Sequence, residues 1–435
     1  MGQIYPFAMK LEDDLLYPHL PQELQIFWTK LALSYRFTQQ EMRMLIEMGV
    51  DLTMWGENLF EVWEAIDCTR GKRAIFDDFF KHWDKLRKSE KVYVAFKEIV
   101  PVLPRAPVHY EKLLTACDSG EKISGMCPVS STKTVCCNLR TLDVVQNCAF
   151  GCSYCSIQTF YSSGEKKILM ETELRRKLKL LPSLMELDPH KFYHFGTGQS
   201  SDALLWGNAN GLLDLLAEFA EKNPNVLLEL KTKSVNIDAL PRHLPKNIFC
   251  SWTLNTPTIV HFEEHETPAL EARIDAARRA ANRGIRVGFH FHPIVYYKGW
   301  REEYAAIVTT LQKRFSSAEI AYISLGTVTL IKSVIKELRL RGARDGFKSK
   351  ILQMELVETA ARGRLSYPEE MKIELFKTVY SYFSREWREL IYFYLCMESG
   401  RCWSEVFGDS MAVPVANEEF EATMCRALAT ALMFS

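Results

Sequence analysis

Apolar residues recur every three or four positions from 24 to about 97, in LQIFWTKLAL, MRMLIEMGV and FDDFFKHWDKL, which is the period of helices packed on one face. Strand-like runs are scarce there, so the stretch is expected to be a helical block. VPVLPRAPVHYEKLL follows, with Pro101, Pro104 and Pro107. Proline removes a backbone donor and biases its predecessor toward extended conformations, so a boundary is expected near residue 105.

From about 140 to 340 the period changes. Short β-rich runs begin at Leu142 (LDVVQN), Phe192 (FYHFGTG), Val226 (VLLELKTK), Ile248 (IFCSWTL), Ile285 (IRVGFHF) and Ile320 (IAYISLG). Amphipathic helical segments lie between them at 172–187, 211–222, 269–283, 301–315 and 330–340. Such alternation implies parallel strands joined by helical crossovers, hence an α/β sheet, open or partly closed into a barrel. In these folds the chemistry sits at the carboxyl ends of the strands. Beyond 346 the pattern predicts a helix near 369–383, an apolar strand LIYFYLC from Leu390 and a terminal helix from Asn417. The domain reading is therefore a helical block at 1–105, a cysteine-containing linker at 106–139, an α/β core at 140–345 and a C-terminal α/β extension at 346–435.

With 47% hydrophobic and 25% charged positions, the 435 residues have the composition of a folded soluble chain rather than a disordered or membrane one. Lys+Arg and Asp+Glu both total 54, which excludes nucleic-acid binding driven by a whole-chain field. A polyanion would have to meet a local face, and the candidate is IKSVIKELRLRGARDGFKSK, residues 331–350, with seven basic and two acidic side chains. Its plainer reading is a solvated amphipathic helix. Asp13, Asp14 and Glu23 stand where an export signal needs an apolar core, and no apolar run approaches roughly 18 residues, so a cytoplasmic monomer without a membrane span is expected. Twelve cysteines in that setting read as buried thiols or metal ligands rather than disulfides.

Their spacing matters most in DVVQNCAFGCSYCSIQTFY, which sets Cys148, Cys152 and Cys155 as C-x3-C-x2-C directly after the first expected core strand. A closed zinc site wants four ligands, commonly two knuckles, and no second C-x2-C follows. A [4Fe-4S] cube held by three thiolates leaves one iron open, where a substrate can bind. The amino and carboxylate groups of S-adenosylmethionine (SAM) chelate such an iron, and electron transfer into the sulfonium breaks a carbon–sulfur bond. The cofactors carry that chemistry, while the protein positions them and excludes water. A structural thiol patch is the alternative.

C-x3-C-x2-C with Tyr154 just before the last cysteine resembles the signature of the radical SAM superfamily, which implies a partial (β/α)6 barrel. FGTGQSSDAL, LELKTKSVNIDAL, SWTLNTPTIV, LEARIDAARRAANRGIRVGFHFHPIVYYKGWREEY and AYISLG, in that order, resemble the spore photoproduct lyase family of DNA repair enzymes, from about residue 140 to 345. The resemblance implies a [4Fe-4S] cluster on Cys148, Cys152 and Cys155, SAM as cofactor, DNA as partner and an electron donor such as flavodoxin or ferredoxin. Lys233 falls where the family uses a lysine on the SAM carboxylate; otherwise it is a solvated strand-end lysine. Ser201 and Thr253 fall where the family has hydroxyls near SAM, though turn hydrogen bonds explain both nearly as well. Tyr154 either packs on the adenine, relays an electron or simply shields the cluster. Asp202 orients Ser201 or, more plainly, caps the following loop.

His290 and His292 alternate on one face of their strand, opposite Phe289 and Phe291. If that face points inward, His292 lies near SAM and either histidine is an acid–base candidate or a satisfied interior group. Asn255, Glu263, Arg273 and Trp300 match the family pattern as framework. Glu398, in YFYLCMESGRCW, is expected near the mouth as a substrate acid–base candidate.

Two departures bear on mechanism. Ser156 stands where the family has a tyrosine, and Gln199 stands where it has the cysteine that donates a hydrogen atom. An amide N–H is too strong a bond for that role, so either another thiol substitutes or the reaction differs. Cys127, Cys136 and Cys137 are the candidate thiols. With Cys117 they also suggest a second metal site, although C-x9-C-x8-CC matches no standard spacing and reduced structural thiols are the plainer reading. Cys68, Cys250, Cys396, Cys402 and Cys425 read as apolar fillers. The sequence thus points to a lyase-like radical SAM enzyme abstracting hydrogen from carbon, with DNA photolesion repair as the implied activity. Its alternatives are a radical SAM enzyme acting on a peptide or small molecule, and a non-catalytic iron–sulfur or zinc protein.

Overall fold

A computed structural model describes residues 11–93, 114–120, 122–127, 133–159, 167–361, 363–408 and 412–433. The proline-rich boundary near 105 lies outside them. The described chain divides into two compact units, one made of residues up to Val92 with Leu330–Leu356, the other of Tyr93–Thr329 with Val357 onward.

The first unit contains the expected helices, Gln22–Tyr35, Gln39–Trp55, Leu59–Glu64 and Lys72–Lys88. Thr38 and Glu41 form a capping box at the start of the second, and Gly56 ends it in the left-handed conformation. Helix Lys332–Asp345 packs in this unit rather than with the α/β core. Arg339 explains why: it grips both oxygens of buried Asp51 at 2.9 and 2.8 Å and Glu47 at 2.6 Å. Arg341 stacks on Phe347 with its guanidinium 3.8 Å from the ring centre, and Arg344 pairs with Asp345. Lys348 and Lys350 donate to the carbonyls of Thr53 and Val92. Five of the seven basic side chains of 331–350 are therefore engaged within the unit.

The second unit is built on an eight-stranded sheet: β1 (Ser124–Met126), β2 (Arg140–Leu142), β3 (Tyr193–Thr197), β4 (Val226–Thr232), β5 (Ile248–Leu254), β6 (Val287–Ile294), β7 (Ile320–Thr327) and β8 (Phe393–Leu395). The strands lie side by side in chain order. β1 is antiparallel to β2, and every pair from β2 to β8 is parallel. Helices Leu212–Lys222, Leu270–Asn282 and Trp300–Arg314 make crossovers close to their expected positions. Strands β3, β5 and β7 are buried along their whole length, as a parallel sheet covered on both faces requires. Residues from the carboxyl ends of β3 to β8 all line one cavity, so the sheet is curled into a partial barrel.

One expected strand is divided. LDVVQN contributes Leu142 to β2, whereas Val145–Gln146 pairs antiparallel with Ile168–Glu171 in a separate three-stranded sheet that includes Leu114–Cys117. Asp143 turns the chain, its N–H donating to the Ile123 carbonyl at 2.8 Å. The C-terminal expectations fall in place: β8 adds to β7, helix Glu369–Ser381 precedes it and helix Asn417–Met433 ends the described chain. Among the described residues no helix is long and apolar enough to cross a membrane.

Candidate active site

The C-x3-C-x2-C loop leaves strand Val145–Gln146 through Asn147, which has a φ of +72° and a side-chain oxygen that accepts from the Cys148 N–H at 2.9 Å. The Cys155 N–H closes back on the Cys152 carbonyl at 3.2 Å, and the Ser153 N–H bonds the Glu263 carbonyl at 2.9 Å. Cys148, Cys152 and Cys155 all line a cavity of about 280 Å³ at the carboxyl end of the sheet. Tyr154, Gln199, Ser201, Lys233, Thr253, His290 and His292 line the same cavity. Every side chain singled out for cluster or SAM is thus brought to one place.

Burial pushes all three thiols up, Cys152 to about 12, because a thiolate loses its hydration there. Lys233 opposes this at Cys152 and Cys155. Burial pulls the Lys233 ammonium down, but Cys152 and Glu264 outweigh it and its pKa is raised, so it stays charged. Its Nζ lies 5.5 Å from the centre of the Tyr154 ring. The Tyr154 hydroxyl donates to Glu264, whose other oxygen is held by Arg273 at 2.5 Å. Arg273 also donates to the Thr253 carbonyl at 3.0 Å and so ties the end of β5 to this pair. Glu264 had no signal beyond its place in the acid pair of HFEEHET.

The turn after β3 is set by Gly198, at φ +102°, where a Cβ would lie 2.3 Å from the Lys231 carbonyl oxygen. Only glycine lets the two strand ends approach so closely. It places Gln199 on the cavity wall. Ser201 accepts a hydrogen bond from Trp206 Nε1 at 2.8 Å. Asp202 takes the capping role: it accepts from the N–H groups of Leu204 and Leu205, from the Thr232 hydroxyl at 2.7 Å and from the Lys233 N–H at 2.6 Å.

Beneath the cavity, Glu229 accepts from His194 at 2.9 Å, His290 at 2.7 Å, Tyr322 at 2.5 Å and the hydroxyl of Ser251. Burial opposes its charge, yet His290 and His194 hold its pKa well below the usual carboxylate range. Burial in turn pushes His290 down to about 4, so at neutral pH the charge of the group rests on Glu229. His292, its ring 5.0 Å from that of His290, pairs with Ser324 Oγ at 2.8 Å, and burial holds it well below its ordinary pKa. His290 is thus an interior histidine at the cavity floor, held through Nε2 by Glu229 and Tyr322 while its buried Nδ1 has no hydrogen-bond partner among the described residues, and His292 is the one whose partner is only a hydroxyl. A glutamate inside the apolar run VLLELK was the signal for this network.

Three expectations are corrected. Glu398 does not line the cavity; it is buried and paired with Lys372 at 2.5 Å. Cys117 lies apart, with its sulfur 3.4 Å from Glu171. Cys396 is no filler, because it lines the cavity with Cys127, Cys136 and Cys137. Asn255 and Arg273 serve the framework as expected: Asn255 bonds the Pro293 carbonyl at 3.1 Å and accepts from Tyr304 at 2.7 Å.

The spore photoproduct lyase family model matches residues 139–336. The spore photoproduct lyase of Clostridium acetobutylicum is 26% identical over 184 residues, 42% of this chain and 54% of that protein. That of a Geobacillus species is 22% identical over 182 residues, 41% of this chain and 53% of that protein. The chain spans about half the length of the curated relatives it matches. A solved spore photoproduct lyase complexed with dinucleoside spore photoproduct superposes at a TM-score of 0.55 with 17% identity, over 68% of this chain and 88% of that one. A mutant of that enzyme type with bound AdoMet (SAM) and the same dinucleoside gives 0.54 at 16% identity, over 74% and 94%. These structures share the fold of the partial barrel. Residues 139–336, which carry the cysteine loop and the strand ends around it, are the part of the chain that matches the spore photoproduct lyase family.

Proposed function

We propose that the chain is a radical SAM enzyme of the spore photoproduct lyase type, with a [4Fe-4S] cluster on Cys148, Cys152 and Cys155, SAM beside it and a nucleic-acid base as substrate. The observation that carries this reading is that one cavity gathers three thiols from a single short loop with Lys233, Ser201 and Thr253 from three strand ends. The donor set fits the group: irons would favour the thiolates that burial disfavours, and three ligands leave a fourth corner for SAM.

When bound, cluster and SAM together supply reductive cleavage of a carbon–sulfur bond and, through it, hydrogen-atom abstraction. The chain's own residues position and enclose. Lys233, kept cationic by its neighbours, takes the SAM carboxylate in a charge-assisted hydrogen bond. Ser201 and Thr253 offer hydroxyls from walls fixed by Trp206 and Arg273. Tyr154 offers its ring face, and neutral His292 a proton-bearing or accepting nitrogen. The electron comes from a flavodoxin- or ferredoxin-type donor.

The substrate class follows the relatives, one of which was solved with dinucleoside spore photoproduct. A base lesion would have to leave the stack to reach the cavity. Gln199 favours a second reading, a peptide or small-molecule substrate, because the wall offers no S–H bond at that position.

The test uses anaerobically purified protein. Iron with matching sulfide, and release of 5′-deoxyadenosine from SAM on reduction, are expected; zinc without iron refutes both readings. Loss of added dinucleoside spore photoproduct supports the base reading. SAM cleavage that neither consumes it nor responds to short DNA leaves the second.

A further inference from the structure

Four cysteines outside the C-x3-C-x2-C loop come together in the fold. Cys127 follows β1, Cys136 and Cys137 lie in the connection to β2, and Cys396 follows β8. All four face the one cavity. Backbone bonds hold the arrangement: the Cys127 N–H donates to the Leu139 carbonyl, the Cys396 N–H to Leu325 and the Val135 N–H to Glu398, each at 2.9 Å. The Cys136 N–H donates to Asn417 Oδ1 at 2.9 Å. The Val135–Glu398 bridge joins the β1–β2 connection to the residues after β8, so the two edges of the curled sheet meet at these thiols.

The cysteines interact as a group. The Cys137 thiol is raised first by its hydrogen bond with Cys136, then by burial and by Cys396 and Cys127. Cys396 is raised by burial, then by Cys127 and Cys136, against an opposing pull from Lys231. Lys231 and Lys233 are alternate residues at the end of β4 and both line the cavity, Lys231 acting on Cys396 and Cys155 and Lys233 on Cys152 and Cys155. Apolar fillers have no reason to converge from three chain segments on a cavity wall beside a cation.

We propose that Cys127, Cys136, Cys137 and Cys396 hold a second iron–sulfur cluster, set in the cavity wall where the two edges of the sheet meet. Among the described residues no three His, Cys, Asp or Glu side chains are already arranged to hold a metal ion, and this is equally true of Cys148, Cys152 and Cys155, so in both sets the thiols draw together on binding. Four cysteines are the ligand set of an iron–sulfur cube and of a zinc ion alike, and the metal content of the protein distinguishes the two. On binding, the four thiols give up their protons and the irons neutralise the thiolates that burial disfavours. No S–H then remains among them, so of the two outcomes open for Gln199 it is the reaction that differs. The site itself does not depend on the proposed substrate.

The test is anaerobic reconstitution of the full chain with iron and sulfide. About eight irons are expected in the wild type, about four in the Cys148→Ala/Cys152→Ala/Cys155→Ala variant and about four in the Cys127→Ser/Cys136→Ser/Cys137→Ser/Cys396→Ser variant, counting four per cluster. A loop variant without iron, one that takes zinc alone, or a four-serine variant with wild-type iron overturns the proposal. Should the four-serine chain fail to fold, alkylation of the reconstituted loop variant decides: the four cysteines must become protected relative to the iron-free protein while Cys68 stays as reactive as before. Equal reactivity overturns the proposal. Failure of the loop cluster would appear separately, as an unchanged iron content in the loop variant.

Discussion

Arg273 holds Glu264 at 2.5 Å, and both side chains are wholly buried. The pair fixes the Tyr154 hydroxyl on one side and the Thr253 carbonyl on the other. Removing one member strands a charge in low dielectric. Arg273→Leu is therefore expected to cost about 3–5 kcal/mol, and adding Glu264→Gln to recover part of the loss. Urea unfolding midpoints measure both; a cost within that of an exposed pair would contradict the role given to this contact.

Gly198→Ala combines a left-handed backbone with a 2.3 Å overlap on the Lys231 carbonyl, so destabilisation of about 1–3 kcal/mol or more is expected. Gly284 provides the control. It has φ +78° but open space around its Cβ, and Gly284→Ala should cost about 1 kcal/mol. Thermal unfolding of the two variants should rank them in that order.

Lys233→Met is expected to weaken SAM binding by about 1.5–3 kcal/mol, the worth of a hydrogen bond to a charged group. Calorimetric titration of the anaerobic protein reads this directly. Unchanged affinity would return Lys233 to the simple role of offsetting charge beside Cys152.

Glu319, just before β7, is held to about 2 chiefly by its hydrogen bonds with Arg278, against the opposing effect of burial and with further help from Ser316. Its folded pKa lies below the ordinary carboxylate value of 4.5, so the pair stabilises the fold above that pH. The contribution fades as pH falls from about 4.5 toward about 2. The stability gap between wild type and Glu319→Gln should therefore be full at pH 7 and close in acid. A gap that widened in acid would reverse the assigned sign.

The strands were legible because VLLELKTK, IFCSWTL and IAYISLG are short, mostly apolar runs, and a parallel sheet buried on both faces writes itself that way. The cysteine loop was legible because its spacing is local. What escaped depends on sheet order. Cys396 follows the apolar strand β8 while Cys127, Cys136 and Cys137 come from the far edge, and no pattern within LIYFYLC announces them. Glu398 was expected at the mouth from its position alone, but Lys372 on the preceding helix captures it. The basic run at 331–350 was legible as a helix, while its docking depended on Asp51 and Glu47, which lie in another segment.

The strands of the large sheet lie in the order in which they occur along the chain, so each can add to its predecessor as synthesis proceeds. The Val135–Glu398 bridge is the exception, since it waits for the last strand. Until β8 arrives, the side of the thiol-lined wall that carries Cys396 is not in place.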